Sequence, residues 1–137
     1  TGSGKTECFL VPILDRLVRL SDGGRRPLEG VRALMLYPLN ALISSQEERL
    51  SHWFEPFGGA LRYALYNGET PETASAATRR REPWRVGDRA ALRASPPPVL
   101  VTNATMLEYM LIRQNDAPIL AASRGMLDFV ILDEAHS

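Results

Sequence analysis

Four short apolar runs recur along the chain: VRALMLY at 31–37, LRYALY at 61–66, VLVT at 99–102 and FVIL at 129–132. Each has the length and composition of a buried strand, and polar or turn-forming residues bound it. Amphipathic stretches lie between them. Thr6 to Leu20 carries Phe9, Leu10, Ile13, Leu14 and Leu17 at helical spacing, with Pro12 expected to kink or locally loosen the helix. Asn40 to about Phe54 and Asn103 to Arg113 read as two further helices, each opened by an asparagine cap. Met106, Leu107, Met110 and Leu111 are expected on the inward face of the latter. Strands that alternate with helices in this way predict an α/β fold with a parallel sheet covered by helices on both faces. Ligands of such sheets bind beyond the carboxyl ends of the strands. The 137 residues, 45% of them hydrophobic, suffice for one domain with a core.

The first residues are TGSGKT. They match the last six positions of the phosphate-loop pattern G-x-x-x-x-G-K-[ST]. Thr1 and Ser3 belong to the loop, and Gly2 and Gly4 let its backbone approach a phosphate closely. The helix expected to start near Lys5 directs its N-terminal dipole at the same anion. Lys5 would reach the β- and γ-phosphates, and Thr6 would place its hydroxyl on Mg²⁺. Lys5 is the only lysine among sixteen basic residues. A phosphate loop needs that slender ammonium and not a planar guanidinium.

The last apolar strand runs into Asp133 and Glu134. Asp133 is the residue type that completes a Mg²⁺ site begun by Thr6, and Glu134 the type that orients and deprotonates an attacking water. His136 is placed to couple this site to nucleic acid or to a second domain. Each motif alone is modest. A glycine-lysine-threonine loop and an acidic strand end, separated by three strand–helix units, support one another.

TGSGKTE, YPLNAL, TNATMLEYML and VILDEAHS, in that order, resemble motifs I, Ia, Ib and II of the DEAD/DEAH-box helicases of superfamily 2. The resemblance covers essentially the whole chain. It implies a RecA-like P-loop NTPase domain, residues 1–137, truncated at both ends, with ATP and Mg²⁺ as cofactors. It also implies that Pro38, Leu39, Asn40 and Ala41 contact a sugar-phosphate backbone, as do Thr102 and Asn103, with Met106 packed behind them. Tyr66 to Thr70, YNGET, resembles the glycine-bearing loop between those two contacts, with Gly68 as the contact residue. The YPLNAL wording resembles large bacterial helicases of DNA repair or phage defence, which favours DNA over RNA as partner.

The same resemblance identifies what the chain lacks: an adenine-reading segment, motif III and the second RecA-like domain with its arginine finger. Without that finger, turnover falls by a factor of about 10³–10⁵, so the isolated chain is expected to be nearly inert as an ATPase. The leading function is an ATP-dependent helicase. The alternatives are a duplex translocase or restriction-type motor, another phosphate-loop enzyme, and a non-catalytic nucleic-acid or partner-binding module. A guanine-reading N-K-x-D motif is absent, which argues against a GTPase.

The remaining features read more simply. Arg79, Arg80, Arg81, Arg85, Arg89 and Arg93 form a basic stretch at 79–98, but interspersed acids and prolines favour an exposed solvated connection over a nucleic-acid strip. Trp84 is expected to anchor that connection. Trp53 and Phe54 read as core and His52 as surface. Cys8 reads as a small buried residue; a lone cysteine excludes an internal disulfide and fits a reducing, cytoplasmic setting. No run of about 18 apolar residues predicts a membrane span, and no zinc-ligand cluster occurs.

Overall fold

The structure is a computed structural model and describes residues 2–38 and 44–132, with the side chains of 8–38 and 47–132. Its first helix, α1 (Gly2–Leu20), begins earlier than Lys5. Leu10, Ile13, Leu14 and Leu17 are all buried on one side of it. Pro12 falls on the opposite, exposed side, and the helix continues through it. A proline at that point denies a hydrogen bond to the carbonyl of Cys8. Cys8 is itself exposed, contrary to the buried position expected, so water can reach that carbonyl. Gly23, at φ +71°, ends the helix by donating its N–H to the Val18 carbonyl at 2.8 Å.

The chain then runs through β1 (Ala33–Leu36), α2 (Ser44–Phe54), β2 (Tyr63–Tyr66), α3 (Ala76–Arg81), β3 (Arg85–Val86) and α4 (Arg89–Ala94). It finishes with β4 (Val99–Thr102), α5 (Ala104–Ile112), α6 (Ala117–Ala122) and β5 (Phe129–Leu132). All five strands are parallel, in the order β3-β2-β4-β1-β5. Ala33 pairs with both Val99 and Phe129, and Leu36 with both Thr102 and Leu132, so β4, β1 and β5 finish level with one another.

Strand alternation divides the core between the two faces. On one face α1 and α2 cover Ala33, Met35, Tyr63, Val99 and Val101. There the Phe54 and Tyr63 rings meet at 5.2 Å, tilted by 58°, a geometry aromatic pairs favour. On the other face α4, α5 and α6 bring Leu92, Met106, Met110 and Ile119 against Leu34, Ala64, Tyr66 and Leu100. Each such fully buried large side chain contributes about 1.5–3 kcal/mol.

Three expectations need correction. The stretch 79–98 is not an exposed connection: Val86 adds an edge strand, and Leu92 of α4 is buried in the second core face. β5 is not buried on both faces. Phe129 and Ile131 pack under α1, whereas Val130 and Leu132 are 53% and 59% exposed, because β5 is the edge of the described sheet and no described helix lies over its second face. Leu111 is 64% exposed: α5 turns Met106 and Met110 fully inward, with Leu107 partly buried beside them, and leaves Leu111 to solvent. Trp53 is half-buried against the first core face, Phe54 fully buried and His52 exposed, as expected.

Candidate site at the carboxyl edge of the sheet

Because every strand runs the same way, every strand exit lies on one edge. Strand order lines the exits up: the Asn67–Thr70 loop after β2, Asn103 after β4, Pro38 after β1 and Leu132 at the end of β5. α1 reaches the same edge. Arg16, near its C-terminus, lies 3.4 Å from Asp128, the residue before β5. From Arg16 back to Gly2 the helix climbs roughly 21 Å at 1.5 Å per residue, while a four-residue strand advances only about 13 Å. The first turn of α1 therefore stands at or beyond the carboxyl edge, with its backbone N–H groups lacking intrahelical partners.

That first turn holds Gly2, Ser3, Gly4 and Lys5, with Thr6 following. Its unpaired N–H donors, beside the exit of an apolar strand that continues into two acids, suit a phosphate with its cation. Thr1, Leu39, Asn40, Ala41, Asp133, Glu134 and His136 lie outside the described residues, as do the side chains of Ser3, Lys5 and Thr6. No group of three or more potential metal ligands occurs among the described residues.

Thr102 and Asn103 are described fully, and both side chains turn inward. Thr102 is buried, and its Oγ1 donates to the Tyr66 carbonyl at 2.6 Å. Asn103 is 3% exposed, and its Oδ1 accepts from the Met106 N–H at 2.9 Å as the cap of α5. What this exit offers to solvent is Ala104 and Thr105, both exposed, in the first turn of a nine-residue helix. Met106 packs behind, as expected, 5% exposed.

The loop after β2 is built as tightly. Thr70 N–H donates to the Asn67 carbonyl at 3.2 Å and closes a turn. Asn67 Oδ1 accepts from Glu69 N–H at 2.8 Å, and Thr70 Oγ1 accepts from Asn67 N–H at 3.0 Å while donating to the Leu65 carbonyl at 3.1 Å. Gly68 stands exposed at the tip. Its φ is not in the left-handed region, and a Cβ built on it meets nothing within 4 Å. Neither its conformation nor its packing requires glycine.

The arginine stretch is largely committed to protein partners. Arg79 pairs with the buried Asp88 at 2.6 Å, Arg85 with Glu47 at 2.5 Å, and Arg93 with Glu72. Trp84 anchors its segment as expected: half-buried, it donates its indole N–H to Ser51 Oγ at 3.1 Å, and Ser51 in turn bonds the Tyr63 hydroxyl at 2.9 Å. Burial pushes the Tyr63 phenol above the ordinary tyrosine value. Sequence reasoning missed Asp116, 1% exposed, which accepts a 2.9 Å hydrogen bond from the Tyr66 hydroxyl behind the β2 loop. An aspartate between a short helical turn and a proline-containing helix carried no signal of burial. Burial first, then Asp116, raises the Tyr66 phenol as well.

The DEAD/DEAH box helicase family matches the chain from residue 1 to 137. The chain belongs to this family. Among relatives, Druantia protein DruE of Escherichia coli is 36% identical over 96 residues, 60% of the chain and 5% of DruE. ATP-dependent helicase Lhr-Core of Methanothermobacter thermautotrophicus is 30% identical over 142 aligned positions, all of this chain and 15% of that protein. ATP-dependent RNA helicase DDX55 of Bos taurus is 28% identical over 98% of the chain and 20% of its own length. This helicase-family domain thus spans between 5% and 20% of the relatives named here. No solved structure matches it. The family match and the all-parallel five-stranded sheet agree on a RecA-like α/β domain. No described helix is long and apolar enough to cross a membrane.

Proposed function

We propose that this domain is the motif I to motif II part of an ATP-dependent helicase, with ATP and nucleic acid held along one sheet edge. The observation that carries the reading is the alignment of the strand exits: β2, β4, β1 and β5 all open on one edge, and the length of α1 would bring its start to the same place. The N–H groups of Gly2, Ser3 and Gly4 would hold the nucleotide phosphates, and Lys5 would reach the β- and γ-phosphates. Thr6 and Asp133 would hold Mg²⁺, and Glu134 would take the proton of the attacking water. Bound ATP with Mg²⁺ supplies the phosphoryl bond whose hydrolysis drives the motor. The nucleic-acid strand would pass over Gly68, the Asn103–Thr105 turn and the Pro38–Ala41 exit. Thr102 serves from beneath, by tying the β4 exit to the β2 loop. Backbone donors and small residues suit a phosphate contact that ignores base sequence. His136 would couple the two sites. The relatives named as helicases include one whose name specifies RNA; the YPLNAL wording favours DNA here.

ATP hydrolysis by the full-length protein tests this, without nucleic acid and with single-stranded DNA, duplex DNA or RNA. Glu134→Gln is expected to bind ATP normally and to abolish the stimulated turnover. Turnover that persists in this variant removes Glu134 as the base, and no stimulation by any nucleic acid removes the motor. Stimulation by duplex DNA without strand separation would instead identify a translocase.

A further inference from the structure

We propose that Arg89 is a positioning residue for nucleic acid, acting through the Asn67–Thr70 loop and touching no phosphate itself. The inference rests on the proposed passage of a strand over that loop. Arg89 is the first residue of α4, half-buried, and it approaches the loop from the protein side. Its Nε donates to the Thr70 carbonyl at 2.8 Å, and its Nη2 lies 3.4 Å from the carbonyls of both Asn67 and Gly68. Its guanidinium carbon sits 5.3 Å from the centroid of the Tyr66 ring, within cation–π range. Backbone bonds carry α4 along with it: Arg89 N–H reaches the Pro71 carbonyl at 2.8 Å, and Ala90 N–H the Glu72 carbonyl at 2.9 Å.

The consequence is electrostatic as much as mechanical. Three carbonyls that would repel an anion are drawn onto one guanidinium behind the loop. The N–H groups of Asn67, Glu69 and Thr70 are used within the turn, while that of Gly68, at the exposed tip, has no partner among the described residues. The loop therefore shows solvent one free donor, over a glycine whose missing side chain leaves open space. Nothing within the described chain calls for glycine there; an approaching phosphate does. A planar fork can serve several carbonyls together, which a lysine ammonium on a flexible stem cannot do in the same geometry.

The test uses the full-length protein and fluorescein-labelled single-stranded DNA and RNA oligonucleotides, read by anisotropy across a salt series and paired with stimulated ATPase rates. Arg89→Ala is expected to raise the nucleic-acid Kd on the order of tenfold. The half-stimulating concentration should rise in parallel, while kcat at saturating nucleic acid and ATP affinity stay at wild-type values. The salt slope should not change, since no phosphate contact is lost; a slope smaller by about one would mean that Arg89 meets phosphate directly and would overturn the proposal. Arg89→Lys should recover affinity only in part, and full recovery would equally overturn it. Should Arg89→Ala not fold, Thr70→Val loosens the same turn from within and should give the same rise in Kd at unchanged slope; unaltered binding would sink the idea. If wild-type protein binds neither oligonucleotide, the motor reading fails and the role of Arg89 falls with it. Wild-type binding with an unaffected Arg89→Ala removes this inference alone.

Discussion

Tyr66 shows how much one side chain can be asked to do at a strand exit. Its ring lies wholly inside the second core face, its hydroxyl donates to Asp116, its carbonyl accepts from Thr102, and Arg89 lies over its ring. The raised phenol pKa has a defined consequence for stability. The folded protein holds this proton more tightly than the unfolded chain, whose value is near 10.0. The stabilisation is therefore complete below about pH 10 and is lost as pH rises through the higher folded value. Tyr66→Phe is expected to cost about 1–3 kcal/mol near neutrality, because the buried Asp116 loses its hydroxyl donor at Oδ2 and keeps only Arg93, 3.8 Å from Oδ1. It should also flatten the alkaline decline, leaving the part due to Tyr63. Urea midpoints taken between about pH 8 and pH 11 check both; an unchanged alkaline slope would contradict the assignment. The sequence placed Tyr66 at a strand end and the Asn67–Thr70 turn after it. It gave no hint of Asp116, fifty residues on, because that contact depends on how α6 packs beside α4.

Elements were legible where one periodicity dominated. β4 and β5 have the expected limits, and α5 begins at the expected asparagine cap. α1 differed in a way that teaches something about proline. Its apolar stripe is strong enough to hold nineteen residues as one helix, and Pro12 is tolerated because it faces water. Replacing it with alanine restores an N–H donor for the Cys8 carbonyl and removes the ring clash. Pro12→Ala should therefore stabilise the domain, by up to about 3 kcal/mol on the intrinsic scale. A denaturant midpoint that does not move would mean that the helix already relaxes around the proline. The arginine stretch was misread for the opposite reason. A two-residue strand and two six-residue helices are too short to carry a period, and charge dominated the reading.

At the scale of the whole molecule, the sheet is well covered except along one flank. Val130 and Leu132 on β5, with Leu127 beside them, expose 53%, 59% and 49% of their surfaces, and Leu111 and Ile112 of α5 expose 64% and 75%. The outer edge of β5 also has no strand partner among the described residues. An open, apolar, parallel edge is a template for further pairing. The 137-residue chain expressed alone is expected to self-associate, and Val130→Lys with Leu132→Lys should reduce this without unfolding the core, since neither side chain is buried. Light scattering at matched concentration checks it; self-association that ignores the two lysines would place the sticky surface elsewhere.

The order of motifs determined the family, the class of sheet and the edge on which ligands belong, since each depends on short local patterns: a glycine-rich helix start, apolar runs, acids at a strand end. Only tertiary structure decided which candidate groups face outward. Thr102 and Asn103 look alike in sequence to surface contacts, yet both are spent inside the domain, on the Tyr66 carbonyl and on the cap of α5. Arg89 looks like one more arginine in a charged run, yet it alone gathers the carbonyls of the β2 loop. The physical reason is common to both. A side chain's type is local, but the direction in which its polar atoms are satisfied depends on strands and helices brought together from elsewhere in the chain.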